Sequence, residues 1–127
     1  VKDDVWGVTF LAPPHAALDP QAKSRTWRAT HDGATYEVVE LARPKKLDQQ
    51  AMVKLVVAHA GVSCQKEMRL TGRVDKETVT FSRYETSCNQ GDRRYGKLWI
   101  DEQRALSLLV KGEAKTELRD AFLDGIE

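Results

Sequence analysis

The chain has 127 residues, of which 31% are charged and 41% apolar, and its 20 Lys plus Arg against 19 Asp plus Glu leave a formal charge of +1. That length serves one globular domain, residues 1–127, burying roughly two-thirds of its unfolded surface. Recurrent apolar residues argue against disorder, and near-balanced charge removes the simplest electrostatic case for nucleic acid. The longest apolar stretch, residues 55–62, is interrupted by His59 and too short to span a membrane.

The opening Val1-Lys2-Asp3-Asp4 is polar, with neither an initiator Met nor a charged-then-apolar leader. It reads as the start of a mature chain after leader removal, compatible with a lipid anchor on the removed segment. Residues 5–11 have the aromatic and β-branched content of a strand that Pro13-Pro14 ends, and residues 15–24 lack any period and read as a loop. Residues 25–30 and 35–41 flank His31-Asp32-Gly33-Ala34, where Asp-Gly suits a type I′ turn. The resulting hairpin sets Trp27 opposite Val38 and Ala29 opposite Tyr36. After Pro44, Asp48 as N-cap, the stripe Met52, Leu55, Val56, His59 and Ala60, and Gly61 as a stop predict a helix.

Residues 64–74 alternate, with 65, 67, 69, 71 and 73 polar and Met68, Leu70 and Val74 apolar, as in a half-buried strand. Its partner is the segment 78–88, after a tight connection at 75–77. Cys64 and Cys88 are equidistant from Lys76, so a hairpin centred there faces the two sulfurs across the ladder. A two-residue turn at Asp75-Lys76 instead pairs Leu70 with Phe81 and Gly72 with Val79, and turns Cys88 to the opposite face. A bulge near Ser82-Arg83 reconciles the two registers. The alternative to a disulfide is two buried free thiols. A bridge closes a loop of about 25 residues, contributes roughly 3.5 kcal/mol, and places the protein in an oxidising, extracytoplasmic compartment. Two cysteines without further ligands at metal spacing make zinc the weaker reading.

Residues 89–94 form a polar loop, 95–100 a strand, 101–104 a turn and 105–110 a strand. Residues 116–126 carry Leu118, Ala121, Phe122 and Ile126 at helical spacing, with Thr116 as cap. This order predicts an α+β fold: a mainly antiparallel sheet of about six to seven strands, one helix after the first hairpin and one C-terminal helix. The opening Trp6-Gly7-Val8-Thr9-Phe10, the hairpin ending in Tyr36-Glu37-Val38-Val39, the segment Arg94-Tyr95-Gly96-Lys97-Leu98-Trp99-Ile100 and the terminal Ala121-Phe122-Leu123-Asp124 together resemble the PsbP-like superfamily in element order across nearly the whole chain. That resemblance implies a non-enzymatic binding or accessory module.

Chemical motifs are sparse. His15, His31 and His59 match no local metal signature, and Ser63, Ser87 and Ser107 lie in no Gly-x-Ser-x-Gly elbow, although a triad assembled in space from distant residues is not tied to any motif. Asp120 and Asp124, one helical turn apart, read as charges on a solvated helix side rather than a cation site. No catalytic residue, metal or cofactor is expected. Arg69, Arg73 and Arg83 share outward positions of the cysteine hairpin, and Arg93, Arg94, Lys97 and Arg104 cluster around the next loop and hairpin. Interleaved Glu67, Glu77, Glu85, Asp92, Asp101 and Glu102 make cross-strand pairing the competitor to a positive strip. If Leu98 and Ile100 face the core, Tyr95 and Trp99 point outward or toward a second layer, and an exposed Trp beside Arg and Tyr is the best contact point. The candidate binding set is therefore Arg69, Arg83, Arg93, Arg94, Tyr95, Lys97 and Trp99. The expected function is an extracytoplasmic module that binds another protein at the cell envelope. The rivals are a small hydrolase or metal-dependent enzyme with a spatially assembled site, and a binder of anionic ligands through the arginine-rich hairpins.

Overall fold

In the computed structural model, which describes residues 2–3, 7–13, 16–18, 26–61, 68–88 and 92–126, β1 (Lys2–Asp3) pairs with β2 (Val8–Thr9) as a separate two-stranded sheet. The first strand is shorter than its composition predicts. Phe10 leaves the extended run to insert its ring edge-on to Trp27, 4.8 Å between centroids, and to Phe122, 6.0 Å. Val5 and Trp6 lie outside the described residues. Within the segment predicted as loop, β3 (Ala17–Leu18) pairs with the edge of β4 (Thr26–His31). Two residues carry no readable period.

The turn between β4 and β5 (Ala34–Leu41) follows the sequence expectation. Asp32 and Gly33 take φ of 48° and 79°, and Trp27 faces Val38 while Ala29 faces Tyr36. Helix α1 (Gln49–Ala60) starts where predicted: the Asp48 carboxylate accepts a 2.8 Å hydrogen bond from the Ala51 N–H, and Gly61, at φ 111°, ends it.

The next hairpin joins β6 (Arg69–Lys76) to β7 (Val79–Ser87) through Glu77-Thr78, not through residues 75–77. Asp75 and Thr80 explain the shift, because they face each other and the threonine hydroxyl donates to the carboxylate at 2.8 Å. Leu70 therefore faces Tyr84, and Val74 faces Phe81. A bulge exists, but in β6, where the register slips between Thr71 and Val74, rather than near Ser82-Arg83. Gly72 there adopts φ 62°, a conformation that costs a glycine little. Cys64 lies outside the described residues, so the facing of the two sulfurs is not described. Cys88 is buried in the same apolar cluster as Met68 and Leu70.

Strands β8 (Arg93–Ile100) and β9 (Ala105–Lys111) follow, then α2 (Thr116–Asp124). Lys115, not Thr116, is the N-cap, without a side-chain bond. Phe122 and Leu123 are buried, whereas Ala121, counted in the predicted stripe, is exposed. Seven strands form one antiparallel sheet in the order β3-β4-β5-β9-β8-β7-β6. Alternate residues of its inner strands belong to different cores. Tyr36, Val38, Leu106, Leu108, Val110 and Trp99 pack with Phe122 and Leu123 of α2, while Leu98, Ile100, Ala105 and Leu109 pack with Met52, Leu55 and Val56 of α1. The helices thus cover opposite faces. That double cover is why residues 105–110 are all buried and show no apolar alternation.

Candidate functional site

On the α2 face, cross-strand pairing lines up the predicted basic and aromatic residues. Arg69 faces Glu85, Arg83 faces Lys97, Phe81 faces Trp99, and Glu85 faces Tyr95. Arg94 belongs to the other face. Its guanidinium donates to the Ala60 carbonyl at 2.7 Å and pairs with Asp92 at 3.0 Å, tying the strand to the end of α1. This corrects its assignment to a contact surface, because the odd and even residues of β8 point to opposite layers. Trp99 is also corrected as an exposed contact. It is only 7% accessible, packed in the α2-side core with Arg104 over its ring at 5.5 Å. An interior strand covered by a helix leaves a large ring nowhere else to go. Tyr95 is half-buried beneath Arg119, 3.9 Å from the ring centroid. Arg69 and Arg93 are exposed.

Helix α2 leaves the β6–β7 part of this face open. Between them runs a groove of about 540 Å³, with Val74, Val79, Phe81, Trp99 and Ile126 along its walls and Lys76, Arg83, Lys97 and Asp124 among them. Arg83 grips the end of α2 in two places, donating to Asp124 at 2.8 Å and to Asp120 at 3.2 Å, so the carboxylate pair one turn apart serves as a forked acceptor. Lys97 lies 3.8 Å from Asp124 and 4.8 Å over the Phe81 ring, and Lys76 reaches the same ring at 5.6 Å. Burial, joined by the charges of Arg83 and Lys76, pushes the Lys97 ammonium down from its usual range against the pull of Asp124. Arg83 and Lys97 share the Asp124 carboxylate, and Lys76 lines the same groove.

On the α1 face lies a cluster that no sequence spacing announced. Glu37, on β5, pairs with Arg28 at 2.6 Å and Lys111 at 3.1 Å, and the buried Nε2 of His59 lies 3.4 Å away, beyond a made hydrogen bond. The other imidazole nitrogen of His59 is 2.7 Å from the Ser107 hydroxyl, which is 2.9 Å from the Tyr84 hydroxyl. Burial alone raises the Glu37 carboxyl, but the His59, Arg28 and Lys111 partners outweigh it and hold the group far below the usual carboxylate range. Burial raises the Tyr84 phenol. Carboxylate, imidazole and hydroxyl stand in the order of a hydrolytic triad. Ser107 is 0% exposed, however, and the His59 and Glu37 side chains are 5% and 3% exposed. The hydroxyl is flanked by two protein partners rather than by a cleft. The members are far apart in sequence, on β5, α1, β7 and β9. The one available signal is a histidine within the apolar stripe of α1.

Among the described residues no three His, Cys, Asp or Glu side chains converge as a metal site, and no helix is long and apolar enough to cross a membrane. Comparison with known protein families finds no family model that matches the chain, and comparison with curated proteins finds no match.

Proposed function

We propose that this protein is a non-enzymatic binding module of the extracytoplasmic space, which holds a segment of a partner protein at the cell envelope in the groove between α2 and strands β6 to β8. The observation that carries the reading is the pairing of an apolar floor, Phe81 and Trp99, with three cations and one groove carboxylate. A segment bearing one aromatic or branched side chain beside an Asp or Glu complements both features. The resemblance in element order to PsbP-like modules supports binding over catalysis. The compartment rests on a Cys64–Cys88 disulfide, a reading that draws on the two cysteines flanking the β6–β7 hairpin in sequence.

Panning displayed random peptides on the oxidised protein tests the reading. Enriched peptides should combine acidic with apolar residues, lose binding to Lys76→Glu and Lys97→Glu variants, and weaken as salt shortens the Debye length. Enrichment without acidic residues, or binding that survives both charge reversals, overturns it. Thiol titration of the denatured, unreduced protein should find no reactive cysteine; two would remove the compartment assignment. A second reading, a small hydrolase, draws on the Glu37–His59–Ser107 alignment. It requires a serine-reactive fluorophosphonate to label Ser107 in the folded protein, and we expect no labelling.

A further inference from the structure

A second groove lies on the opposite face of the sheet, between α1 and the connection that leads into it. Its volume is about 420 Å³, in the range of small-molecule sites. Leu41, Ala42 and Pro44 form one wall, and Ala51, Leu55 and Ala58 of the helix form the other. Each wall also supplies an ammonium, Lys46 from the connection and Lys54 from the helix. Neither lysine has a hydrogen-bond or ion-pair partner among the described residues. The carboxylate in the lining, Asp48, is engaged as the helix cap through the Ala51 N–H, where the positive end of α1 balances its charge. The groove therefore combines an apolar trough with two exposed ammoniums that pair with nothing among the described residues.

We propose that this groove binds a free single-chain alkyl carboxylate, its chain along the alanine and leucine walls and its carboxylate between Lys46 and Lys54. The chemistry decides against the neighbouring classes. An uncharged hydrocarbon leaves the two ammoniums unanswered, and a small inorganic anion leaves the apolar walls wet. A single-chain amphiphile satisfies both with one molecule. This site is independent of the partner groove under α2 and stands or falls without it.

The test is a titration of the folded, oxidised protein with octanoate, decanoate and dodecanoate below their micelle concentrations, followed by amide chemical shifts. Saturable shifts should cluster at Ala42, Ala51, Lys54 and Ala58, and each added methylene should tighten binding about three- to fourfold. Decanol should bind at least tenfold more weakly than decanoate. A Lys46→Gln/Lys54→Gln double variant should reduce decanoate to the level of decanol. Ala58 is exposed on the helix surface, so Ala58→Trp should fill the groove and abolish binding while the amide spectrum stays folded. The proposal is overturned by an absence of saturable shifts, by shifts centred on Phe81 and Lys97, by equal affinity for decanol, or by binding that survives Ala58→Trp. Phosphatidylglycerol vesicles form the other arm: vesicle binding without decanoate binding assigns the surface to a membrane and overturns the proposal as well.

Discussion

Glu37 shows how much one side chain depends on neighbours distant in sequence. It is a carboxylate on an interior strand, kept ionised by Arg28, Lys111 and His59. Replacing it by Gln keeps the shape but leaves two cations facing a neutral amide. Because Arg28 and Lys111 are each about a third exposed, we expect a loss of about 2 kcal/mol, below the full cost of breaking a buried pair. Urea denaturation at neutral pH measures it. The folded carboxyl titrates below its ordinary value of 4.5, so its contribution is complete above that pH and fades as pH falls toward the depressed value. The stability gap between the native chain and Glu37→Gln should therefore be constant from pH 7 to about 5 and close progressively in stronger acid. A gap that widens on acidification refutes the assignment.

At the scale of elements, two devices fix the groove. The first is the fork by which Arg83 holds Asp120 and Asp124 at the end of α2. These groups are partly solvated, so a double-mutant cycle between Arg83→Ala and Asp124→Ala should give a coupling of only about 0.5–1 kcal/mol. The more sensitive readout is amide exchange, which should quicken in α2 and not in α1. The second device is the bulge of β6. Gly72 sits at φ 62° with open space where a side chain would project, so its substitution tests backbone strain alone. Gly72→Ala should cost about 1 kcal/mol and Gly72→Asn distinctly less, because asparagine tolerates that region. Thermal unfolding of the pair decides it; equal losses point to packing instead.

At the scale of the whole molecule, the sheet separates two chemistries. One face, under α2, presents the cationic groove; the other, under α1, encloses the Glu37 cluster. The proposed Cys64–Cys88 bond closes the loop containing the β6–β7 hairpin, one wall of the cationic groove. Its reduction should lower the unfolding free energy by roughly 3.5 kcal/mol. Denaturant midpoints with and without a thiol reductant measure this, and coincident curves contradict the bond. Some of this architecture was readable in advance. The β4–β5 register follows from Asp32-Gly33, whose positive φ pair admits one hairpin geometry, and α1 follows from Asp48 and Gly61 at its ends. The β6–β7 register is not legible in the composition of the turn, because its determinant is a cross-strand pair, Asp75 with Thr80. β3 leaves no mark in the sequence, because its two residues gain their form only by pairing with β4.

The amino-acid order by itself determined the elements whose hydrogen bonds close within a few residues: the first hairpin and the capped helix. The tertiary structure alone decided which face each helix covers. With that it decided that Trp99 is floor rather than contact, that Arg94 clamps α1, and that Glu37, His59, Ser107 and Tyr84 meet. The physical reason is range. A turn or cap is selected by local backbone geometry, whereas burial on the second face of an interior strand depends on a layer contributed by residues far along the chain, and no periodicity within the strand encodes it.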